Sequence, residues 1–294
     1  MTESTPIAPE QVGVLGGGRM GAGIAHAFLL AGSQVGIVER DADAAEAATA
    51  RVLESIDASV ARGTALESPE AYRARLTTGT DAALFAQCAL VVEAVPEDLA
   101  LKADALRRVE AQIAPDAAIA SNTSSISIDE LAAVLDHPSR LLGMHFFNPV
   151  PASTLVEIVH GASTAPALVD AARGWVAAIG KTPIVVADAP GFASSRLGVA
   201  IGLEAIRMLE EGVASAEDID AAMTLGYKHP VGPLRLTDIV GLDVRLGIAE
   251  YLCAQLGERF EPPALLRRLV AEGHLGRKSG RGFYEWDASG REHS

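Results

Sequence analysis

The sequence predicts an α/β protein: a mostly parallel sheet covered by helices, followed by an all-α C-terminal domain. Three observations carry this expectation. Through roughly the first 190 residues, short β-branched runs alternate with longer helical ones, as in a parallel sheet built from helical crossovers. Glycines crowd the turn directly after the first apolar run. Beyond "DAPGF" (Asp188 to Phe192) the strand signals stop. The boundary is therefore set at residues 1–188 for the sheet domain and 189–294 for the helical one.

The elements follow in order. "QVGVLG" (Gln11 to Gly16) is the first strand, a helix runs from about Met20 to Leu30, and Gly32 stops it. "SQVGIVER" is the second strand, after which Asp41 caps a long alanine-rich helix reaching Gly63. Residues 64–76, "TALESPEAYRARL", form a helical excursion away from the sheet. "ALVVEAV" (Ala89 to Val95) is apolar on both faces, as a central parallel strand should be. A helix near Leu99–Ile113, the strand "AAIASN", a short helix in "SIDELAAVL" and the strand "LLGMHFF" come next. "TLVEIVHG", a helix from Pro166 to Gly180 and the strand "TPIVVAD" complete the domain. In the second domain "SRLGVAIGLEAIRMLEEG", "SAEDIDAAMTLG" and "LRLTDIVGLDVRLGIAEYLCAQLG" read as helices, the last apolar on more than one face.

Composition narrows the function. With 24 Lys and Arg against 38 Asp and Glu, the formal net charge is −14, which argues against a nucleic-acid partner because phosphate binding needs clustered cations. The apolar runs are far shorter than the ~18–20 residues of a membrane span, and "MTESTPIAPEQ" has no secretory or transit pattern. A cytoplasmic protein with no membrane partner is expected. Cys88 and Cys253 lie far apart and offer no metal-ligand spacing. No metal is expected.

"GVLGGGRMGAGIA" holds Gly16-x-Gly18-x-x-Gly21 between a strand and a helix. In that context the glycines give a tight turn, close backbone approach to a pyrophosphate and close helix–strand packing, with Arg19 and Met20 inside the same loop. The helix N-terminus then offers N–H groups to phosphate. This is a Rossmann-type dinucleotide fingerprint. Eighteen residues beyond Gly21, Glu39 ends the second strand, where an acid accepts both ribose hydroxyls and repels an extra phosphate. NAD is therefore expected rather than NADP; Arg40, next in sequence, is a smaller argument the other way.

A hydride acceptor calls for a base on the substrate hydroxyl, and histidine suits neutral pH. His145, in "GMHFFNPVP", stands at the C-terminal end of an expected parallel strand, the edge where open α/β sheets bind ligands. Twelve residues later Glu157 is an acid among apolar neighbours. Paired with His145 it would fix the imidazole tautomer and raise its basicity. Ser124, in "ASNTSS" after a strand, also reaches the ligand edge, with helix capping by Ser124, Ser125 or Ser127 as the competing role. His137, His160, His229 and His274 lie in or beside turns.

"GGGRMGAGIA", "VVEAVPEDLALK", "ASNTSSISI", "GMHFFNPVP…LVEIV", "DAPGF…SRL", "GYKHPVGPLRLTDIVGLD" and "GRKSGRGFYEW" occur in the order found in 3-hydroxyacyl-CoA dehydrogenases. From Gln11 to Trp286 the chain resembles that family, particularly its short stand-alone 3-hydroxybutyryl-CoA type. The resemblance implies NAD-dependent oxidation of a (3S)-3-hydroxyacyl-CoA, with His145 as catalytic acid/base, Glu157 as its partner and Ser124 on the substrate's 3-oxygen. It implies NAD contacts from Glu97, Lys102, Asn122, Ser124, Asn148 and Lys278. It also implies a small-molecule acyl-CoA partner. The small core of the second domain and the wide apolar faces of its helices predict a homodimer joined mainly through that domain. Where the family commonly has asparagine before "RL", this chain has Ser195, a shorter group with a single hydroxyl in the expected catalytic set. That departure opens an alternative substrate: another 3-hydroxy acid, or an acyl-carrier-bound 3-hydroxyacyl group. For CoA itself, Ser59, Arg62 and Arg51 are available near the helical excursion.

Overall fold

The computed structural model describes residues 6–287 and 289–291; the first five residues of the N-terminal stretch read above lie outside them. The chain forms two compact units, divided after Ala189.

In the first unit β1 (Gln11–Leu15), α1 (Arg19–Leu30) and β2 (Gln34–Val38) open the fold. α2 (Ala42–Ala61) starts at Asp41, whose carboxylate accepts from the Ala44 N–H at 2.7 Å. The excursion after α2 is a single short helix, α3 (Pro69–Ala74), and the chain then returns to the sheet as β3 (Leu76–Gly79). This edge strand, paired with β2, is an addition to the expected order. It has two threonines, one large apolar residue and a glycine, so it carries no apolar strand signal. β4 (Leu90–Glu93), α4 (Leu99–Glu110), β5 (Ala118–Ser121), α5 (Ile128–Ala132), β6 (Leu141–Phe146), β7 (Leu155–His160), α6 (Pro166–Ala178) and β8 (Thr182–Ala187) follow.

The eight strands lie in the order β3-β2-β1-β4-β5-β6-β7-β8. All neighbours are parallel except β6 and β7, which are antiparallel. The direction of winding reverses between β1 and β4, which puts the ligand crevice at the carboxyl ends of these strands. Every residue of β4, β5 and β6 is buried, in keeping with a sheet covered on both faces. The core under α1 and α2 is built from Val12, Val14, Ile24, Phe28, Ile37, Val52, Leu90 and Val92.

The second unit is helical: α7 (Ser194–Glu210), α8 (Ala216–Ala221), α9 (Pro233–Val240), α10 (Leu242–Leu256) and α11 (Ala264–Ala271). The single helix expected across 234–257 is two, because Gly241 adopts φ 108° between α9 and α10. That conformation is costly for any residue with a Cβ. Two buried carboxylates tie the C-terminal segment to these helices. Asp238 accepts from the Phe283 and Tyr284 N–H groups and from Trp286 Nε1, each at 2.8–2.9 Å. Asp220 accepts from the Tyr284 hydroxyl at 2.8 Å. Much of the motif "GRKSGRGFYEW" therefore serves the fold of this unit.

Candidate active site

The glycine turn comes first. Gly16 has φ 94°, and a Cβ there would meet the Ala94 carbonyl at 2.9 Å. A Cβ on Gly21 would stand 1.8 Å from the Gly16 carbonyl oxygen, so any larger residue would force the turn off the start of α1. Gly17, outside the expected triplet, is equally constrained, by Ala48 at 2.3 Å. Around Gly18 the space is open, and no side chain caps α1 there. Arg19 and Met20 form the first turn of the helix. Glu39, just past β2, is held by two backbone donors: Gly17 N–H to Oε1 at 2.7 Å and Arg40 N–H to Oε2 at 3.0 Å. Each carboxylate oxygen keeps capacity to accept a ribose hydroxyl. Arg40 is turned to Asp41, with Nε 2.9 Å from Oδ2. A bare turn, an uncapped helix start and an oriented acid fit the dinucleotide.

Beyond β4 and β5 lies a charged network the sequence reading missed. Glu93, at the end of β4, is fully buried. It accepts from Val95 N–H at 2.7 Å, Lys102 Nζ at 2.8 Å and the Ser121 hydroxyl at 2.6 Å. Lys102, only 1% exposed, also reaches the Val95 carbonyl and, at 3.3 Å, Glu97 Oε2. The other oxygen of Glu97 gathers the Thr123, Ser124 and Ser125 hydroxyls and the Ser124 and Ser125 N–H groups within 3.2 Å. Burial pushes the Glu97 carboxyl up, but the Lys102 charge and these donors outweigh it and hold the pKa below its ordinary value. The network thus pins the loop that carries Ser124. A lone acid in the apolar run "LVVEAV" was the signal, of the same kind that pointed to Glu157.

Asn122 continues this edge. Its Oδ1 accepts from the Phe146 N–H at 2.9 Å, strapping the end of β5 to β6 directly after His145. Ser127, not Ser124 or Ser125, caps α5, accepting from the Glu130 N–H.

His145 is 7% exposed and faces Glu157 across the antiparallel β6–β7 ladder. Directly opposed residues bring their Cβ atoms within about 5 Å, and here Nδ1 lies 2.7 Å from Glu157 Oε2. Glu157 is fully buried. The ring of Phe147 lies 4.5 Å from the imidazole, tilted by 45°. Asn148 is exposed in the loop beyond β6.

Ser195 and Lys278 belong to the helical unit. Ser195 is half-buried in the first turn of α7. Lys278 is exposed, with Nζ 2.6 Å from Asp243 Oδ2. Of the residues considered for CoA, Ser59 is a core group, 1% exposed and bonded to His26 Nε2 at 2.9 Å. Arg62 also donates to the Ser59 hydroxyl, and Arg51 to the Gly17 carbonyl. Among the described residues no group of three or more His, Cys, Asp or Glu is arranged to hold a metal ion. No described helix is long and apolar enough to cross a membrane.

A doubly wound sheet with this glycine turn and acid defines an NAD-binding protein of Rossmann type. Residues 11–189 match the family model described as 3-hydroxyacyl-CoA dehydrogenase, NAD binding domain, and residues 191–286 match 3-hydroxyacyl-CoA dehydrogenase, C-terminal domain. The chain belongs to the 3-hydroxyacyl-CoA dehydrogenase family and is an NAD-dependent oxidoreductase. It is 42% identical over 284 residues to a 3-hydroxybutyryl-CoA dehydrogenase of Mycobacterium tuberculosis, covering 95% of this chain and 99% of that one. A probable 3-hydroxybutyryl-CoA dehydrogenase of Deinococcus radiodurans is 39% identical over 275 residues, covering 93% and 99%. Among solved structures, (S)-3-hydroxybutyryl-CoA dehydrogenase of Ralstonia eutropha superposes with a TM-score of 0.91 at 38% identity, covering 95% of this chain and all of that one.

Proposed function

We propose that the enzyme oxidises a short-chain (3S)-3-hydroxyacyl-CoA, of 3-hydroxybutyryl type, reversibly to the 3-ketoacyl-CoA. The observation that carries the reaction type is the 2.7 Å contact between His145 Nδ1 and Glu157 Oε2. A buried carboxylate accepting from Nδ1–H favours that tautomer and puts the basic lone pair on Nε2. His145 then removes the substrate's hydroxyl proton, and Glu157 stabilises the imidazolium that forms. The chemistry that NAD supplies when bound is acceptance of the C3 hydride.

The residues that would hold NAD are Gly16, Gly18, Arg19, Met20 and Gly21 around the phosphates, Glu39 on the ribose, and Glu97, Lys102, Asn122, Ser124, Asn148 and Lys278 elsewhere along it. For Glu97, Lys102 and Asn122 the hydrogen bonds above support an indirect part, holding the loop and strand that face the ligand. Ser124 holds the substrate's 3-oxygen. Its hydroxyl now donates to Glu97 Oε1, and exchanging that acceptor is inexpensive because four other donors remain on the same oxygen.

In this reading residues 1–188 bind NAD, and residues 189–294 contribute to substrate binding and to a homodimer. Apolar side chains exposed on the helical unit support the dimer: Leu197 and Ile201 on α7, Leu236 and Val240 on α9, and Val244 on α10. The same reading includes a cytoplasmic location. The family likeness and the names of the relatives above support the acyl-CoA substrate. Ser195 favours a second reading, in which the same chemistry acts on another 3-hydroxy acid or a carrier-bound acyl group.

Oxidation of NADH at 340 nm with acetoacetyl-CoA, longer 3-ketoacyl-CoAs, carrier-bound analogues and free 3-keto acids tests this. Turnover fastest with short acyl-CoA thioesters is expected; turnover confined to carrier-bound or free acids would replace the substrate assignment.

A further inference from the structure

We propose that Arg245 forms an anion site in the helical unit that takes a carboxylate at the far end of the substrate's acyl chain. The proposal rests on the 3-hydroxyacyl-CoA reading above. Arg245, in the first turns of α10, is only 8% exposed. Its guanidinium carries five N–H donors and no acceptor. Among the described residues none of those donors has a hydrogen-bond or ion-pair partner, and Nε is fully enclosed without one.

Other cations withdrawn from solvent among the described residues behave differently. Buried Lys102 is paired with Glu93, and of two half-buried cations Arg140 is paired with Glu110 and Lys181 donates to the Val150 and Ser153 carbonyls. A buried, uncompensated charge is expensive and is normally matched by an acceptor. Burial also lowers the guanidinium pKa, although the group stays charged at neutral pH.

The helix facing it is shaped to match. Gly198 sits inside α7, where glycine weakens a helix, and a Cβ there would stand 3.1 Å from Arg245 Nη1. The guanidinium therefore lies against bare backbone. Gly198 is one turn on from Ser195, and residues three apart share a helix face. Ser195 is the position where this chain departs from its family, and it belongs to the expected catalytic set. The shortened side chain and the unmatched cation thus occupy one stretch of α7.

A guanidinium fork donates to a carboxylate or a phosphate in two-point fashion, so the phosphates of CoA are a second source of such an anion. Proximity to Ser195, in the expected catalytic set, assigns the site to the acyl end. An acyl chain ending in a methyl group leaves the buried cation unmatched; one ending in a carboxylate neutralises it. A further substrate class follows, beside the short-chain one proposed above: a 3-hydroxyacyl-CoA with an ω-carboxylate.

Dissociation constants of unreactive saturated thioesters test this without turnover. Succinyl-, glutaryl-, adipyl- and suberyl-CoA are titrated calorimetrically against butyryl-, pentanoyl-, hexanoyl- and octanoyl-CoA, on the full-length protein and on Arg245→Met and Arg245→Lys. At one chain length or more, the diacid thioester should bind about tenfold to a hundredfold tighter than its monoacid counterpart. Arg245→Met should erase that ratio and Arg245→Lys reduce it. Each ratio is taken on one protein, so partial misfolding cancels. No diacid preference at any length in the wild type overturns the proposal. Arg245→Met weakening both series equally also overturns it, in favour of a CoA phosphate. A protein that oxidises NADH with acetoacetyl-CoA yet binds both series alike loses the anion site and keeps the reaction; one with the diacid preference and no turnover keeps the site and loses the reaction.

Discussion

Removing Lys102 should cost far more stability than a surface lysine. Its ammonium is 2.8 Å from Glu93 Oε1, with side-chain exposures of 1% and 0%. In Lys102→Met, Glu93 keeps the Val95 N–H and the Ser121 hydroxyl but loses its only counter-charge in the network. Breaking a buried pair from one side typically costs about 3–5 kcal/mol, whereas replacing both members by neutral groups costs much less. The double variant Glu93→Gln/Lys102→Met should therefore be more stable than the sum of the two single losses predicts, by about 2 kcal/mol. Urea unfolding of the four proteins measures this coupling. NADH fluorescence titration of the same proteins separates it from a direct cofactor contact. Additive losses, or a Lys102→Met protein of near-normal stability that binds NADH poorly, would refute the view that Lys102 acts by holding Glu93 and Glu97.

Three other outcomes follow from the geometry. His26 is buried against Ser59 with no hydrogen-bond partner at Nδ1, and burial, aided by Arg62 and Lys181, lowers its pKa to about 4. Because the fold binds fewer protons there than the unfolded chain, its contribution is complete above about pH 6.5 and is lost as pH falls toward 4. By pH 5 the loss is on the order of 2 kcal/mol. Urea midpoints of wild type and His26→Gln should diverge over that window; parallel curves contradict it. Glu39→Gln should lower the NAD-to-NADP ratio of kcat/KM by about tenfold, since the repelling charge is gone while an acceptor for the Gly17 N–H remains; an unchanged ratio removes Glu39 from cofactor choice. Sedimentation at micromolar concentration should show a species of twice 30.5 kDa, shifted toward monomer by Leu197→Asp or Val240→Asp; a wild-type monomer contradicts the dimer.

Much of the first unit was legible because its signals are local. The glycine turn, the Asp41 cap and the apolar runs each report a nearby backbone requirement. His145 and Glu157 could be paired from sequence because each is a polar residue on an otherwise apolar strand. What the sequence did not give was their register: the antiparallel β6–β7 ladder sets them directly opposite each other. Other features depended on distant partners. Glu93 draws its meaning from Ser121, 28 positions away, and Ser59 from His26, 33 positions away. β3 was invisible because a short edge strand needs few apolar residues, and the break at Gly241 because one glycine inside an amphipathic run is ambiguous until its φ is known. Arg245 is one charge in an expected helix, and its burial and the bare surface of Gly198 exist only in the folded unit.

The pH dependence of kcat for wild type, His145→Gln and Glu157→Gln in the direction of 3-hydroxybutyryl-CoA oxidation bears most directly on the mechanism. Loss of the base should lower kcat by about 10²–10⁴-fold and abolish the rise of rate with pH, with NAD affinity retained. Glu157→Gln should lower kcat as well, because the imidazolium loses its carboxylate. Near wild-type turnover in His145→Gln or in Glu157→Gln would contradict the assignment of this pair as the proton-transfer centre.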